Sequence, residues 1–229
     1  MKAIAITIVT AGVAASALGQ SLFVSQPNTN YDARYGTTRW SDTTSYIDTT
    51  FSSVTLGGDI SDLNALLTYD RLWLDQRFDA PLSNDEVSNL LAFAATGRRV
   101  VIIGENFNWP SWNASVLGAF GSFVDGNADS IASPVINNDI TNGISTVDIS
   151  SGSTADGGIE LFTQNFATLW GDTDNVLTVL DSNIWDTANL GAADNRLFTQ
   201  NAIDWLAVPA PSGLALLGLG GIAAVRRRR

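Results

Sequence analysis

The feature that most constrains the fold is a strand, helix and strand pattern in the middle of the chain. Two apolar runs, 71–75 and 99–104, are short, bounded by polar residues and rich in large or β-branched side chains, as buried strands are. Between them, Ser83 and Glu86 have the spacing of a capping box at a helix start. Gly97 stands where a left-handed residue would end that helix. This order predicts a βαβ unit with parallel strands.

The alternation of strands and helices continues on both sides of this unit. Further strands are predicted at 21–25, 53–56 and 175–181, and further helices at 63–67, 111–120 and 194–206. Such alternation indicates an α/β fold with a doubly wound, mostly parallel sheet and helices on both faces. The strand residues expected to be buried are Trp73, Leu74, Val101, Ile103, Leu177 and Val179.

The segment 125–158 departs from this pattern. It is rich in Gly, Asn, Asp and Ser, with short β-like pieces at 135–136 and 145–149. We expect an irregular, β-rich excursion or an antiparallel edge there. Oxygen-bearing side chains alternate at 125–129 and 172–174, as in calcium loops, but the glutamate that completes an EF-hand is missing. Turns are therefore favoured over metal sites at both places.

The first 19 residues have the pattern of a secretory signal peptide. Lys2, the single lysine of the chain, precedes an apolar run at 3–13. Ala17 and Gly19 then place small residues where signal peptidases cleave, which predicts cleavage before Gln20. The sequence therefore predicts that the segment 20–207 is exported as one α/β domain.

The segment 208–229 has the pattern of a stop-transfer signal. It begins with Val208, Pro209, Ala210, Pro211 and Ser212, and it ends with Arg226, Arg227, Arg228 and Arg229. Between them lies an uncharged segment at 213–225, and the uncharged stretch counted from Trp205 has 21 residues, near the ~20 that cross a bilayer as a helix. Arginine resists translocation, so the tail is expected on the cytoplasmic side. The apolar run itself has 13 residues, which is short for a permanent anchor.

This order of Pro-x-Pro motif, transmembrane segment and arginine cluster resembles the PEP-CTERM sorting signal of Gram-negative bacteria. The family motif reads Pro-Glu-Pro, whereas this chain has Pro209-Ala210-Pro211. The resemblance implies that the secretion machinery exports the protein, that the membrane holds it through the tail, and that an exosortase-like enzyme processes it. The expected location is then the cell envelope or the extracellular surface. The alternatives are an ordinary tail anchor and a frayed hydrophobic end of the chain.

The predicted exported domain is strongly acidic. Within 20–207 there are seven arginines and all 23 acidic residues, which gives a net charge near −16. Such a surface repels nucleic acids and anionic lipid headgroups, so neither is an expected partner. Adaptation to a saline habitat explains the charge more simply than a dedicated cation store.

The chain has no cysteine and no histidine, which excludes most catalytic machinery. Cys-His pairs, Ser-His-Asp triads and imidazole metal sites cannot be assembled from it. Lys2 would be lost with the signal peptide, so no lysine nucleophile would remain in the mature domain. Carboxylates, tyrosines, hydroxyls and arginines remain, and we expect no catalytic residue, metal or cofactor.

Polar residues at the predicted strand ends are the candidates for ligand binding, since ligands of open α/β sheets bind there. The candidate residues are Asp75, Gln76, Glu105, Asn106, Trp109, Asp181 and Asn183. Carboxylates beside tryptophans are common in carbohydrate sites, and two suitably spaced carboxylates could hydrolyse a glycoside. Helix capping by the carboxylates and packing by Trp109, Trp112 and Trp185 is the favoured alternative.

The exported domain also resembles the class I glutamine amidotransferase-like, flavodoxin-like families. The resemblance rests on the succession of 69–75, the helix at 83–97, the strand at 100–106 and the closing helix at 195–206. In those enzymes the turn after the second of these strands carries the cysteine nucleophile. This chain has Gly104-Glu105-Asn106 at that turn, so the resemblance implies the fold without the amidotransferase chemistry.

Taken together, these patterns predict an exported, non-catalytic cell-surface or extracellular-matrix protein. The alternatives are a carboxylate-dependent carbohydrate-active hydrolase, a divergent amidotransferase-like hydrolase and a carbohydrate-binding protein. In each carbohydrate alternative, an extracellular polysaccharide is the expected partner.

Overall fold

The computed structural model describes residues 20–27 and 31–209. The predicted signal peptide, the apolar run at 213–225 and the terminal arginines lie outside the described residues. Of the predicted sorting motif, only Val208 and Pro209 lie inside them. No helix among the described residues is both long enough and apolar enough to cross a membrane.

The described residues form a mixed α/β fold. Its strands are β1 (Ser21–Ser25), β2 (Ser53–Gly57), β3 (Arg71–Leu74), β4 (Val100–Ile103), β5 (Val124–Ala132), β6 (Val147–Ala155), β7 (Ile159–Glu160), β8 (Ala167–Trp170) and β9 (Val176–Val179). Its α-helices are α1 (Ser41–Thr50), α2 (Leu63–Leu66), α3 (Asn84–Ala94), α4 (Pro110–Gly118) and α5 (Asn195–Ala207). A short 3₁₀ turn spans Ser182–Trp185.

Seven of the strands form one mostly parallel sheet in the order β2-β1-β3-β4-β9-β8-β7. The pairs from β2 to β9 are parallel, whereas β8 and β7 continue the sheet antiparallel. The predicted mostly parallel α/β sheet is therefore confirmed. The predicted excursion contains the second sheet, in which β5 and β6 pair antiparallel with two register shifts.

The inner strands are apolar on both faces. Every residue of β3, β4, β8 and β9 is buried, including all six side chains for which burial was predicted. Alternate strand residues belong to two hydrophobic clusters. Trp73 and Val101 belong to the first, with residues of α1 and α5, and Leu72 and Ile102 belong to the second, with residues of α2, α3 and α4.

Local signals explain α3. Ser83 and Glu86 form the predicted capping box, with Ser83 Oγ accepting from the Glu86 backbone N–H and the Glu86 carboxylate accepting from that of Ser83. Gly97 has φ of 78°, the left-handed conformation expected after the helix. The prediction of β1 at 21–25 is also confirmed. The predicted helices α2, α4 and α5 are confirmed with ends that differ by one or two residues.

Two local predictions are wrong. Residues 125–129 lie in β5 instead of a turn, because Gly126, Asn127 and Ala128 pair with β6 between two register shifts. Residues 135–136 form no strand, since only an isolated bridge between Pro134 and Phe162 lies there. The β-like piece expected at 145–149 is confirmed as the start of β6, which begins at Val147 because Asp194 binds the backbone N–H groups of Ser145 and Thr146.

Candidate functional site

The polar residues predicted at the strand ends do meet at one edge of the large sheet. They follow β3, β4 and β9, whose carboxyl ends point the same way as that of β1 because these strands are parallel. The chain leaves β1 towards β2 on one side and later returns to β3 on the other, so the strand order reverses between β1 and β3. Ligands of open α/β sheets bind at such a reversal.

Asp75 occupies this reversal and is saturated by donors from its own chain. Its Oδ2 accepts hydrogen bonds from the side-chain amide of Gln26 and, at 3.2 Å, from the backbone N–H of Tyr35. Its Oδ1 accepts from Trp73 Nε1 at 2.7 Å. Only 1% of Asp75 is exposed, and burial raises the pKa of its carboxyl to about 6 although these donors lower it.

Arg77 and Glu86 form an ion pair next to Ser25, the last residue of β1. The Arg77 guanidinium donates to Glu86 Oε1 at 2.6 Å and to Ser25 Oγ at 3.2 Å, and it stacks over the Trp112 ring. Both side chains are nearly buried. Glu86 therefore caps α3 and holds Arg77 at the same time, so the crevice at the reversal is occupied by an ion pair of the protein itself.

Glu105 forms a second buried group, at the end of β4. Its Oε1 accepts from Ser182 Oγ at 2.5 Å and from the Tyr31 hydroxyl at 3.4 Å, and its Oε2 accepts from the Asn106 N–H at 2.7 Å. Asn113 on α4 fixes the turn, because its side chain bonds both the N–H and the C=O of Glu105. Glu105 is thereby held with its carboxylate directed into the protein.

Burial changes the acidity of Glu105. Its side chain is 0% exposed, and desolvation raises the pKa of the carboxyl to about 7, with the nearby Asp181 carboxylate adding to the rise. Hydrogen bonds from Ser182, Asn106 and Tyr31 oppose the shift. A carboxylate with a pKa near neutrality beside a hydroxyl has the chemistry of a general base. Both Glu105 and Ser182 are completely buried, so a substrate cannot reach them in this conformation.

Asp181 joins β9 to the second sheet. Its oxygens accept from the backbone N–H groups of Ser150 at 3.0 Å and Asn183 at 2.9 Å. Burial raises the pKa of this carboxyl too. The strands approach closely here, since a Cβ on Gly152 would lie 2.7 Å from the Leu180 carbonyl oxygen. Asp181 therefore links the end of β9 to β6 through its hydrogen bonds.

Arg39 links loop residues next to the same edge of the sheet. Its guanidinium donates to Asp186 Oδ2 at 2.8 Å, to Asn183 Oδ1 at 2.6 Å and to Asp32 Oδ1 at 3.1 Å. The other Asp186 oxygen accepts from the buried Trp40 Nε1 at 2.8 Å. These bonds tie the loop before α1 to the segment after β9.

Three aromatic rings lie together over this edge. Tyr31, Phe78 and Trp109 have centroids 4.9–5.3 Å apart, and all three are half-buried. Phe78 adopts φ of 54°, a strained value for this residue, while its N–H donates to Gln76 Oε1 at 2.7 Å. We call these three rings the aromatic cover. Its outward faces are the part of the edge that a ligand could contact.

The candidate residues predicted from the sequence belong to separate hydrogen-bond networks around Asp75, Glu105 and Asp181. Asp75, Gln76, Glu105 and Asp181 are buried, and Asn106, Trp109 and Asn183 are half-buried. Trp112 and Trp185 are core residues, as the packing alternative has it.

Sequence reasoning missed Tyr31, Ser182 and Asn113. Ser182 had a signal, as it directly follows a predicted strand end, whereas the other two are recognisable only from their tertiary contacts.

In the described part of the chain, cavities also lie away from the buried strand-end carboxylates. One of about 470 Å³ is at the amino end of the sheet, lined by residues that include Leu91, Gly97 and Asp172. Another of about 300 Å³ lies between Phe107, Pro110 and Phe123. Among the described residues, no group of three or more acidic side chains is arranged to hold a metal ion.

The chain was compared with known proteins. No family model matches it, and no curated protein matches it by sequence. Solved structures resemble it in fold. The mmIFT52 N-terminal domain superposes with a TM-score of 0.63 at 10% identity, covering 82% of this chain and 97% of that one. A putative GMP synthase subunit from Thermoplasma acidophilum gives 0.53 at 12% identity, covering 82% and 94%.

A third similar structure is an exo-beta-1,4-mannosidase from Opitutaceae bacterium strain TAV5. It gives a TM-score of 0.50 at 10% identity, covering 83% of this chain. This chain spans 36% of that enzyme, so only part of the enzyme is represented. At these identities the three likenesses show a shared α/β fold and nothing about activity.

Proposed function

We propose that this protein is an exported bacterial cell-surface or extracellular-matrix protein whose α/β domain is non-catalytic. One observation carries the non-catalytic part. The three strand-end carboxylates, Asp75, Glu105 and Asp181, are 1%, 0% and 0% exposed, and groups of the same chain bind all of them. An acid or base must reach the proton that it transfers, and these three are sealed from substrate.

An activity screen tests this proposal. The purified protein would be assayed on amide, ester and glycoside substrates, in parallel with the Glu105→Gln variant. We expect no turnover above background from either protein. Hydrolysis by the wild type that the single substitution abolishes would overturn the non-catalytic assignment.

We propose that export and surface retention follow from the two ends of the chain. The expectation of a signal peptide over 1–19 and a PEP-CTERM-like signal over 208–229 supports this, as does the way the chain leaves the domain. Arg71 and Arg99 bind the last carbonyls of α5, and Val208, at the start of the motif, is 43% exposed. A processing enzyme could thus reach the motif next to a fixed helix end.

Intact mass and fractionation test the sorting proposal. Protein from the native host should lack residues 1–19 and the arginine tail. Replacing Arg226, Arg227, Arg228 and Arg229 with uncharged residues should release unprocessed protein to the periplasm or medium. A mature protein that keeps both ends, or an unchanged membrane fraction in the variant, would contradict it.

We further propose that the sheet is doubly wound and that the domain is a degenerate relative of the flavodoxin-like, amidotransferase-like families. The two hydrophobic clusters support helices on both faces of the sheet. The five parallel strands run in the order β2-β1-β3-β4-β9, which corresponds to the 2-1-3-4-5 order of flavodoxin-like folds. An experimental structure with helices on one face alone would contradict this.

A second candidate function is carbohydrate binding, favoured by the aromatic cover. Half-exposed rings beside polar side chains offer stacking surfaces for sugar faces, and Asn106 and Asn183 lie at the same edge. A glycan array probed with the wild type and with Trp109→Ala distinguishes a carbohydrate-binding function from a purely structural role. Binding that depends on Trp109 supports the carbohydrate function, and its absence leaves the structural role.

A further inference from the structure

β2 gives the large sheet an open edge. It lies at the end of the strand order and pairs only with β1 among the strands of the described part. Residues 49–58 carry no charge and no proline, and Leu56 is 55% exposed. Proteins usually protect a sheet edge with charges, proline, bulges or a very short strand. β2 has none of these devices.

The other described edges are protected. β7, at the far end of the same sheet, has two residues. β5 is interrupted by register shifts, and the side chain of Gln164 binds both the N–H and the C=O of Asp129. On β6, the other strand of that sheet, backbone N–H groups of Ser150, Ser153 and Ala155 donate to Asp181, Leu180 and Asn165. The unprotected state of β2 is therefore a distinction within this molecule and not a general property of its strands.

The backbone of β2 is arranged symmetrically about its central residue. The Gly57 C=O accepts from the Gln26 N–H, so Gly57 faces β1. Because backbone groups alternate along a strand, Ser53 and Thr55 face β1 as well. Val54 and Leu56 therefore turn their N–H and C=O groups to the open edge, on either side of Thr55.

We propose that β2 pairs antiparallel with β2 of a second copy of this chain, about a two-fold axis at Thr55. Val54 of each copy then lies opposite Leu56 of the other, and each such pair exchanges two backbone hydrogen bonds. Val54 packs against the first hydrophobic cluster. Leu56 lies on the same face of the strand by alternation, so the cross-strand contact covers the exposed leucine.

The uncharged stretch 49–58 favours a second copy over a basic partner, although the net charge of the chain opposes the approach of two copies at low ionic strength. The chain has a formal net charge of −11, so a basic partner would be drawn to its carboxylates and not to the uncharged residues 49–58. Two copies can meet along this neutral strand without opposing carboxylates at the contact. An isologous contact also requires a self-complementary surface, which the arrangement about Thr55 supplies.

The absence of cysteine makes a direct test possible. Non-hydrogen-bonded antiparallel pairs have Cα atoms ~4.5 Å apart, within the range of a disulfide. The full chain with Thr55→Cys, oxidised in solution, should therefore form disulfide-linked dimers. Thr173→Cys, at an exposed turn before β9, is the control for disulfides that form by random collision of two chains. We expect Thr55→Cys to cross-link at least roughly tenfold faster, since pairing raises the effective concentration.

Sedimentation velocity of the cysteine-free chain gives the second readout. The wild type should show a concentration-dependent dimer, and Thr55→Lys should be monomeric, because two ammonium groups would face each other at the axis. The circular dichroism spectrum of the variant should match the wild type, since Thr55 is exposed. Cross-linking no faster than that of Thr173→Cys, or a dimer that persists in Thr55→Lys, would overturn the proposal.

Discussion

The two ends of β3 bury opposite charges in opposite ways. At the amino end, Arg71 is 2% exposed and donates to backbone carbonyls, among them those of Leu206 and Val208 at 2.6 Å. At the carboxyl end, Asp75 accepts only from N–H groups. Neither group is neutralised by an ion pair with the other, since β3 separates them. Each buried charge orders a different part of the fold.

The amino end fixes where the chain leaves the domain. Arg71, with Arg99 on the Trp205 carbonyl, satisfies carbonyls that the end of α5 would otherwise leave without partners. The carboxyl end seals the position where related folds bind ligands. The comparison indicates that buried hydrogen-bond networks occupy both ends of β3, one fixing the end of α5 and the other filling the carboxyl edge of the sheet.

Replacing Asp75 should have the largest effect, because two of its partners, the Trp73 Nε1–H and the Tyr35 backbone N–H, can only donate. These two donors bind different oxygens of Asp75, so the amide group of Asp75→Asn must point at one of them with a donor of its own. We expect a loss of about 3 kcal/mol in the free energy of unfolding at pH 7, the upper end for leaving buried donors unsatisfied. Urea unfolding measures it, with the exposed Asp172→Asn as the matched control. Equal stabilities of the two variants would contradict the buried-network account.

Replacing Arg71 should have the next largest effect, at the other end of the strand. Arg71→Met keeps much of the apolar stem but leaves carbonyls of the α5 end unpaired, which should cost about 2–3 kcal/mol. Hydrogen exchange of the last turn of α5 should speed up more than that of β4. Arg98→Met is the control, because that guanidinium lies at the same sheet end over the ring of Phe93. An unchanged rate of amide hydrogen exchange in α5 would show that Arg71 does not stabilise the end of this helix.

The ends of β3 illustrate what could be predicted from the sequence. The strand itself and its capped helix were predicted because their signals are local: a short apolar run, a Ser-x-x-Glu spacing and a glycine. The edge that gathers the carboxylates was also predictable, since parallel strands place their carboxyl ends together. The partners of Asp75 were not, because Tyr35 lies 40 positions away and reaches it through a loop without a pattern of its own.

Helix α1 shows the opposite case. Its sequence, Ser41–Thr50, is polar and rich in threonine, with no side-chain cap, so no periodic signal indicates a helix. The helix is held by long-range contacts, such as Thr43 Oγ1 donating to the Trp185 carbonyl at 2.7 Å. β8 was missed for a related reason, because a four-residue strand is defined by its antiparallel partner, β9. Tertiary contacts decided both elements.

The amino and carboxyl ends of the parallel sheet should also differ in how their contribution to the free energy of unfolding depends on pH. Burial raises the pKa of Asp75 to about 6 and that of Glu105 to about 7, above their unfolded values near 4. Their favourable contribution is complete below pH ~4 and is lost as pH rises through these folded values. Unfolding free energy should thus fall by about 1–2 kcal/mol between pH 6 and pH 8.

Arg71 contributes no slope in this window. Burial lowers its pKa to about 10, which leaves the guanidinium charged throughout. Urea unfolding at several pH values measures the slope, and Arg71→Met should retain it. A wild-type stability that rises from pH 6 to pH 8 would contradict the assignment of the slope to the carboxyl end.

Glu105→Gln should have the smallest effect and sharpens the contrast with Asp75. Two partners of Glu105, Ser182 and Tyr31, are hydroxyls, which can accept as well as donate. The glutamine can place its oxygen on the Asn106 N–H and donate its amide to Ser182, so no donor faces a donor. The substitution also removes the cost of ionising a buried carboxyl. We expect the free energy of unfolding to change by less than ~1 kcal/mol at pH 6 and to exceed that of the wild type at pH 8, with a shallower pH slope. A loss at pH 8 as large as that of Asp75→Asn would mean that the charge of Glu105 is itself required by the fold.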